Sequence, residues 1–265
     1  GTASVRKGTS LQLRAYIPGL LSTAERRRLR QQCSEVARFV APRGRPRISI
    51  GPLGAGPASA ARKSEFPPMR IGRRLVVVPP WYRARSPGRL RIVIPPALAF
   101  GTGHHPTTRA CLTLLERTLP VAARVLDVGT GTGILAIAAA KLAAAGVVAT
   151  DNDPWAVQQA RANVRRNRVA GRVTVAQCDL APRNRGTFDL IVANIDAPTI
   201  VRLCERLPRL LREGGTLIAS GFTRRDLHEV VASLHQAGLA VRERFGLHGW
   251  VALACQRAGL SRPKL

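Results

Sequence analysis

From about residue 106 onward, short apolar runs alternate with stretches of helical periodicity. The runs "RVLDVG", "GVVATD", "RVTVAQCD", "FDLIVANI" and "GTLIASGF" read as buried strands. Between them "GILAIAAAKLAAAG", "PWAVQQARANVRRN" and "APTIVRLCERLPRLLREGG" repeat their apolar positions at helical spacing, and "TRRDLHEVVASLHQAG" adds a further helix. Strands alternating with helices are the mark of βαβ units and a parallel sheet. The last segment, "LAVRERFGLHGWVALACQR", holds two strands joined so closely that they must be antiparallel neighbours. Ahead of the first strand, Cys111, Leu112, Leu115 and Leu119 form one helical stripe.

The first part of the chain has a different texture. "TSLQLRAYI" alternates like a half-buried strand, and Ser22 and Glu25 are spaced as a capping box ahead of a helix with Leu29, Cys33, Val36, Ala37 and Val40 on one face. A brief strand and a Gly/Pro/Ala/Ser loop within "RPRISIGPLGAGPASAARKSEFPP", then a second strand within "RIGRRLVVVPPW", make a small, incomplete α+β unit, a reduced ferredoxin-like pattern. The proline-rich segment that follows reads as a connection. These patterns predict a small domain over 1–80, a linker over 81–97 and an α/β domain over 98–265.

Composition narrows the class. A chain of 265 residues with 45% hydrophobic content buries a sizeable core, and no run of 18 uncharged apolar residues occurs. The first residues, "GTASVRKGTS", lack the apolar stretch of a secretory signal, so the expected compartment is the cytoplasm, with no membrane contact. Cys33, Cys111, Cys178, Cys204 and Cys255 are odd in number and contain no Cys-x-x-Cys pair, which fits reduced thiols and no metal site. The net charge is +27, carried by 38 arginines and only four lysines. Residues 1–90 hold 19 basic residues against Glu25, Glu35 and Glu65, while residues 91–265 hold 23 against 12 acidic ones. That density in the first third suggests contact with a polyanion such as rRNA, although Arg-rich codon usage would produce the same total.

The sharpest chemical signal is "VLDVGTGTGILAIAAAKL", a strand, a loop with Gly129, Gly131 and Gly133, and a helix. Such glycines let the backbone approach a ligand, and the same spacing satisfies the dinucleotide fingerprint. Asp127 separates the readings, because a carboxylate at the strand end repels a pyrophosphate but attracts an amino group such as that of S-adenosylmethionine. Asp151, ending the next strand, is placed to accept from the ribose hydroxyls, and Asp179 in "QCDL" to meet the adenine amine. Structural readings compete: Asp127 or Asp179 as a cap or loop anchor, and Asn194 in "VANIDAP" as a residue shaping a tight turn. A nicotinamide oxidoreductase and a non-catalytic RNA-binding protein on a relict cofactor fold are the alternatives from other classes.

Taken together and in order, "PALAFGTGHHPTTRACL", "VLDVGTGTGILAIAAAKL", "TDNDPWAVQQARANVRRN" and "VANI" resemble the ribosomal protein L11 methyltransferase family, from about residue 66 to the end. The resemblance implies a class I, Rossmann-like methyltransferase with a seven-stranded, mostly parallel sheet carrying an antiparallel C-terminal strand. It further implies a small N-terminal substrate-recognition domain and an activity that methylates lysine side chains and an α-amino group of a protein. By motif position it implies cofactor contacts at Thr108, Gly129, Asp151 and Asn194, with Phe100 lining the site. Asn194 and the carbonyl of Ile195 would orient the substrate amine. His104 and His105 are expected to pack the loop or help remove a proton and not to bind metal, and Asp196 either attracts the incoming ammonium or caps the next helix. A monomer is expected. An RNA substrate remains the alternative within methyl transfer.

Overall fold

The computed structural model describes residues 2–7, 10–15, 22, 23, 26, 27, 30, 31, 66–95, 105–182 and 186–257. The chain divides into two compact units, 1–65 and 66–265. In the first, β1 (Thr2–Lys7) and β2 (Ser10–Ala15) pair as an antiparallel hairpin with Lys7 opposite Ser10. β2 is the strand that the alternation of "TSLQLRAYI" predicts. β1 has only Ala3 and Val5 as alternating apolar positions, too weak a signal to read from pattern alone. Thr23, Arg26, Arg27, Arg30 and Gln31 are helical, and the Arg26 N–H donates to the Ser22 carbonyl at 3.0 Å, where the capping-box reading starts a helix. Glu25, the apolar stripe of that helix and the brief strand expected after it lie outside the described residues.

The second unit begins with β3 (Met69–Ile71), β4 (Leu75–Val78) and β5 (Leu90–Val93). There follow α1 (Pro106–Thr118), β6 (Arg124–Val128), α2 (Ile134–Lys141), β7 (Gly146–Asp151), α3 (Pro154–Arg166) and β8 (Val173–Gln177). The remainder is β9 (Phe188–Asn194), α4 (Ala197–Leu203), α5 (Leu207–Leu210), β10 (Leu211–Thr223), α6 (Leu227–Gln236), β11 (Leu239–Leu247) and β12 (Trp250–Arg257). Seven strands form one sheet in the order β11-β12-β10-β9-β6-β7-β8. All neighbours are parallel from β10 to β8, and β12 runs antiparallel to both β10 and β11. The expected α/β architecture with an antiparallel C-terminal strand is therefore the observed one.

The central strands are near-continuous apolar runs because helices cover both faces. Val125, Leu126, Leu190, Ile191 and Val192 are wholly buried. Helix α2 is apolar all round, and every residue from Ile134 to Ala140 is buried, as expected for a helix enclosed in a core.

Two boundaries differ from the sequence reading. The segment 66–95, expected to end one domain and start a linker, belongs to the second unit as a three-stranded sheet ordered β3-β4-β5. Its β3–β4 turn at Gly72 is held by Glu116 of α1, whose carboxylate accepts from the Arg73 and Arg74 N–H groups at 2.8 and 3.2 Å. On its other side the Asn167 side chain both accepts from and donates to the Val93 backbone, at 2.8 Å each, as a neighbouring strand would. The single helix expected over 197–215 breaks into α4 and α5, because Pro208 has no N–H to continue the ladder and Leu211 onward extends β10. No helix among the described residues is long and apolar enough to cross a membrane. Cys111, Cys178, Cys204 and Cys255 are free thiols, and Cys33 lies outside the described residues.

Candidate functional site

The carboxyl ends of β6, β7 and β9 meet where the strand order reverses, with β6 leading outward to β7 on one side and flanked by β9 on the other. Open α/β sheets bind ligands at such a switch point. Asp127 stands within β6, opposite Val192 of β9 and Ala149 of β7. Gly129, Gly131 and Gly133 all take positive φ, at 68°, 54° and 82°, and Gly133 is the N-cap of α2. Gly129 is obligatory for a second reason: a Cβ there would lie 2.5 Å from Cγ2 of Ile195, so β9 closes over the loop at this point.

Asp127 is fully buried, and its carboxylate does two different things. One oxygen accepts from Thr130 Oγ1 at 2.5 Å and from the Ala136 N–H, in the first turn of α2, at 3.0 Å. The other, Oδ1, is buried with no hydrogen-bond partner. Burial, with a smaller contribution from the Asp151 charge, raises its pKa from 3.8 to about 7, against the lowering effect of the Thr130 and Ala136 bonds. One oxygen thus serves the cap reading of Asp127, and the other is left without a partner. The loop also turns its donors inward. Thr130 N–H goes to the Thr150 carbonyl, Gly131 N–H to Asp151 Oδ2 at 2.8 Å, and Gly133 N–H to the Thr130 carbonyl. A carboxylate at the start of α2 and three engaged loop amides disfavour an anion such as pyrophosphate at this position. A cationic amino group suits what remains.

Asp151 holds the glycine loop through Gly131 and accepts from the Asp153 N–H at 3.1 Å, which leaves carboxylate lone pairs for hydroxyl donors. Asp179 lies exposed beyond β8, next to Cys178, whose N–H donates to the Asp151 carbonyl at 3.0 Å. At the end of β9 the Asn194 Nδ2 donates to Thr108 Oγ1 at 3.5 Å, a contact at the outer limit of a hydrogen bond. Its Oδ1 is buried and unpartnered. The site therefore presents two orphaned acceptor oxygens, from Asp127 and Asn194. Thr108 itself is buried in the first turn of α1.

Ile195 N–H donates to the Ser220 carbonyl, and its own backbone presses on Gly221, where a Cβ would sit 2.2 Å from the Ile195 oxygen. Gly221, at φ 102°, is thus required for the chain to bend here. Asp196 accepts from Thr199 N–H and Oγ1 at 2.9 and 3.0 Å, and so caps α4 as one of its two readings expects. His105 is the N-cap of α1, with Nδ1 2.7 Å from Thr107 Oγ1, and its ring meets Trp250 edge-on at 4.6 Å. Burial lowers its pKa, which fits loop packing. No cluster of metal-ligating groups occurs among the described residues; Phe100 and His104 lie outside them.

Sequence reasoning missed three supports. Thr130 fixes Asp127, Asn163 reaches from α3 to the Thr132 carbonyl at 2.9 Å and pins the loop, and Gly221 admits Ile195. Asn163 lies on the buried face of its helix, and a polar side chain at an apolar-face position is the available signal for such a role.

Comparison with known proteins shows the family. Residues 57–258 match the family model for ribosomal protein L11 methyltransferase (PrmA). The chain is 42% identical over 247 residues to the ribosomal protein L11 methyltransferase of Pelotomaculum thermopropionicum, covering 92% of this chain and 79% of that protein. It is 39% identical to that of Bacillus subtilis, over 81% of this chain and 70% of the relative. A crystal structure of ribosomal protein L11 methylase from Lactobacillus delbrueckii subsp. bulgaricus superposes with a TM-score of 0.67 at 32% identity, over 72% of this chain and 97% of that one. With a match of this extent, the chain belongs to the ribosomal protein L11 methyltransferase family of S-adenosylmethionine-dependent methyltransferases.

Proposed function

We propose that this protein methylates lysine side chains and the α-amino group of ribosomal protein L11, in the cytoplasm and as a monomer. The observation that carries the reading is the buried, unpartnered Oδ1 of Asn194 at the switch point, an acceptor aimed where a substrate N–H donor is needed. S-adenosylmethionine supplies an electrophilic sulfonium methyl. Asp127 Oδ1 would hold its ammonium, Asp151 its ribose hydroxyls and Asp179 its adenine amine, with Thr108 lining the site. The substrate amine must arrive neutral, because a lysine pKa of about 10.4 leaves it protonated in water, and a partly desolvated site lowers the cost of losing that proton. Asn194 Oδ1 and the Ile195 carbonyl orient the nitrogen lone pair for in-line attack, so that the protein contributes chiefly alignment. The first unit, with its dense basic charge, recognises the protein substrate and offers a contact to rRNA. Labelled cofactor incubated with separated ribosomal proteins and with rRNA tests the substrate: label in L11 supports it, and label in rRNA alone overturns it.

Calorimetry with S-adenosylhomocysteine against NAD tests the cofactor assignment, and nicotinamide binding without a response to S-adenosylhomocysteine would reverse it. In the same assay Asp151→Ala is expected to weaken S-adenosylhomocysteine binding by about 1–3 kcal/mol, the cost of losing hydrogen bonds to a charged group. Unchanged affinity in a folded variant removes Asp151 from the site.

Asp127 gives the binding a pH dependence. Its folded pKa of about 7 lies above its ordinary 3.8, so its contribution to stability is complete below about pH 4 and is lost as pH rises through 7. Cofactor binding runs the other way, since an ammonium favours the ionised carboxylate. Affinity for S-adenosylhomocysteine should rise through about pH 7 and then level, with proton release seen as a dependence of the calorimetric heat on buffer ionisation enthalpy. Asp127→Asn should flatten the profile; a profile identical to the parent's assigns the titration to another group.

A further inference from the structure

Three stretches of the second unit, 66–95, 134–150 and 154–178, contain 13 Arg or Lys residues and no Asp or Glu. The fold brings them together. Asn167, following α3, pairs with Val93 of β5, and Arg172 Nη1 donates to the Ala140 carbonyl at 3.3 Å, beside Lys141 at the end of α2. Arg91 of β5 donates to the Tyr82 carbonyl at 2.7 Å and lies 5.9 Å from the Tyr82 ring centre, while its Nε is buried without an acceptor. Lys141 is half-buried, and burial together with the Arg91 charge holds its ammonium below the usual pKa. The ion pairs found among the described residues, Arg117–Glu243 and Arg212–Asp189, involve none of these groups.

Two partly desolvated cations set close together without a carboxylate cost electrostatic free energy, which a bound anion would recover. An Arg-rich composition alone explains many solvated arginines. It does not explain why Arg91 carries a buried Nε without an acceptor and why Lys141 is half-buried without a carboxylate partner among the described residues. Exposed groups of two kinds neighbour these contacts in the chain: Trp81, Arg83 and Arg85 beside Tyr82, to which Arg91 bonds, and Arg168 beside Asn167, which bonds Val93. Cations that track a phosphate backbone, with aromatic faces between them for bases, are the combination that single-stranded nucleic acid requires, and guanidinium groups match phosphate geometry. An acidic peptide would use the charges and leave the exposed indole without a role.

We propose that this face, centred on Arg91 and Lys141 and rimmed by Trp81, Arg83, Arg85 and Arg168, binds the sugar-phosphate backbone and bases of single-stranded RNA. The surface belongs to the second unit and is independent of the methylation substrate.

Fluorescence anisotropy of the full chain with a labelled uridine oligonucleotide tests it. The triple variant Arg83→Glu/Arg85→Glu/Arg168→Glu changes only exposed side chains, so S-adenosylhomocysteine binding and the thermal transition should stay at parental values and report an intact fold. Its RNA affinity should fall by at least about tenfold, and the slope of log affinity against log salt should shrink by about 2, at roughly 0.7 per lost contact to a single strand. Trp81→Ala should lose about tenfold, within the range of one stacked base. Lys141→Gln should weaken binding in the same direction. The proposal is overturned if the parent does not bind the oligonucleotide, or if the folded triple variant binds as the parent does. It is also overturned if polyglutamate competes as well as unlabelled oligonucleotide while Trp81→Ala has no effect, which assigns the face to an acidic protein.

Discussion

Asn194→Ala is expected to slow methylation of L11 by about 10²-fold, the scale of losing the alignment of a reacting group, while the thermal transition stays near that of the parent. The expectation follows from what the side chain does and does not touch. Its Nδ2 makes only the 3.5 Å contact to Thr108, and its Oδ1 makes none, so truncation removes little that holds the fold. A buried acceptor without a donor costs stability, and removing it relieves that cost. Affinity for S-adenosylhomocysteine should change less than the rate, because Asp127 and Asp151 remain. Single-turnover methylation with a parallel thermal melt makes the measurement. If the variant unfolds readily and its folded fraction retains parental activity, Asn194 only shapes the turn after β9.

Much of this site was legible because its signals are local. A strand, three closely spaced glycines and an Ala-rich helix lie within one short stretch, and the ends of β6, β7 and β9 are marked by Asp127, Asp151 and Asn194 in the sequence itself. The sheet was legible for the same reason, since buried parallel strands are uninterrupted apolar runs. What escaped depends on long-range contacts. Nothing near Asn167 announces that it completes the hydrogen bonding of Val93, and nothing near Gly221 announces that the Ile195 backbone passes 2.2 Å from where a side chain would begin. The β3–β5 sheet was misread for a related reason. Pro79, Pro80 and Pro87 punctuate it as a linker would be, while the contacts that fix it come from Glu116 and Asn167, far along the chain. Asp196 shows the opposite case: its cap role was legible three residues ahead of Thr199, because both bonds it makes there are local.

Where the chain is cut should decide between two very different outcomes. Deleting residues 1–65 removes the first compact unit and nothing of the second. That truncated protein should bind S-adenosylhomocysteine nearly as the parent does and melt cooperatively, while methylation of L11 collapses if the first unit recognises the substrate. Deleting residues 1–80, the boundary that the sequence pattern suggests, should instead damage the catalytic unit. It takes away β3 and all of β4, where Leu75, Val76, Val77 and Val78 are each at most 5% exposed, and it uncovers Ile92 and Ile94. At about 1.5–3 kcal/mol for each buried aliphatic side chain, the loss is comparable with the roughly 5–15 kcal/mol that stabilises a whole domain. It also strips Glu116 of its two backbone donors. The longer deletion should therefore be aggregation-prone or melt far below the shorter one, with cofactor binding lost alongside the fold. Circular dichroism melts and calorimetry on both proteins make the comparison. Equal stability would show that β3 and β4 are dispensable to the catalytic unit, and parental methylation of L11 by the shorter deletion would move substrate recognition out of the first unit.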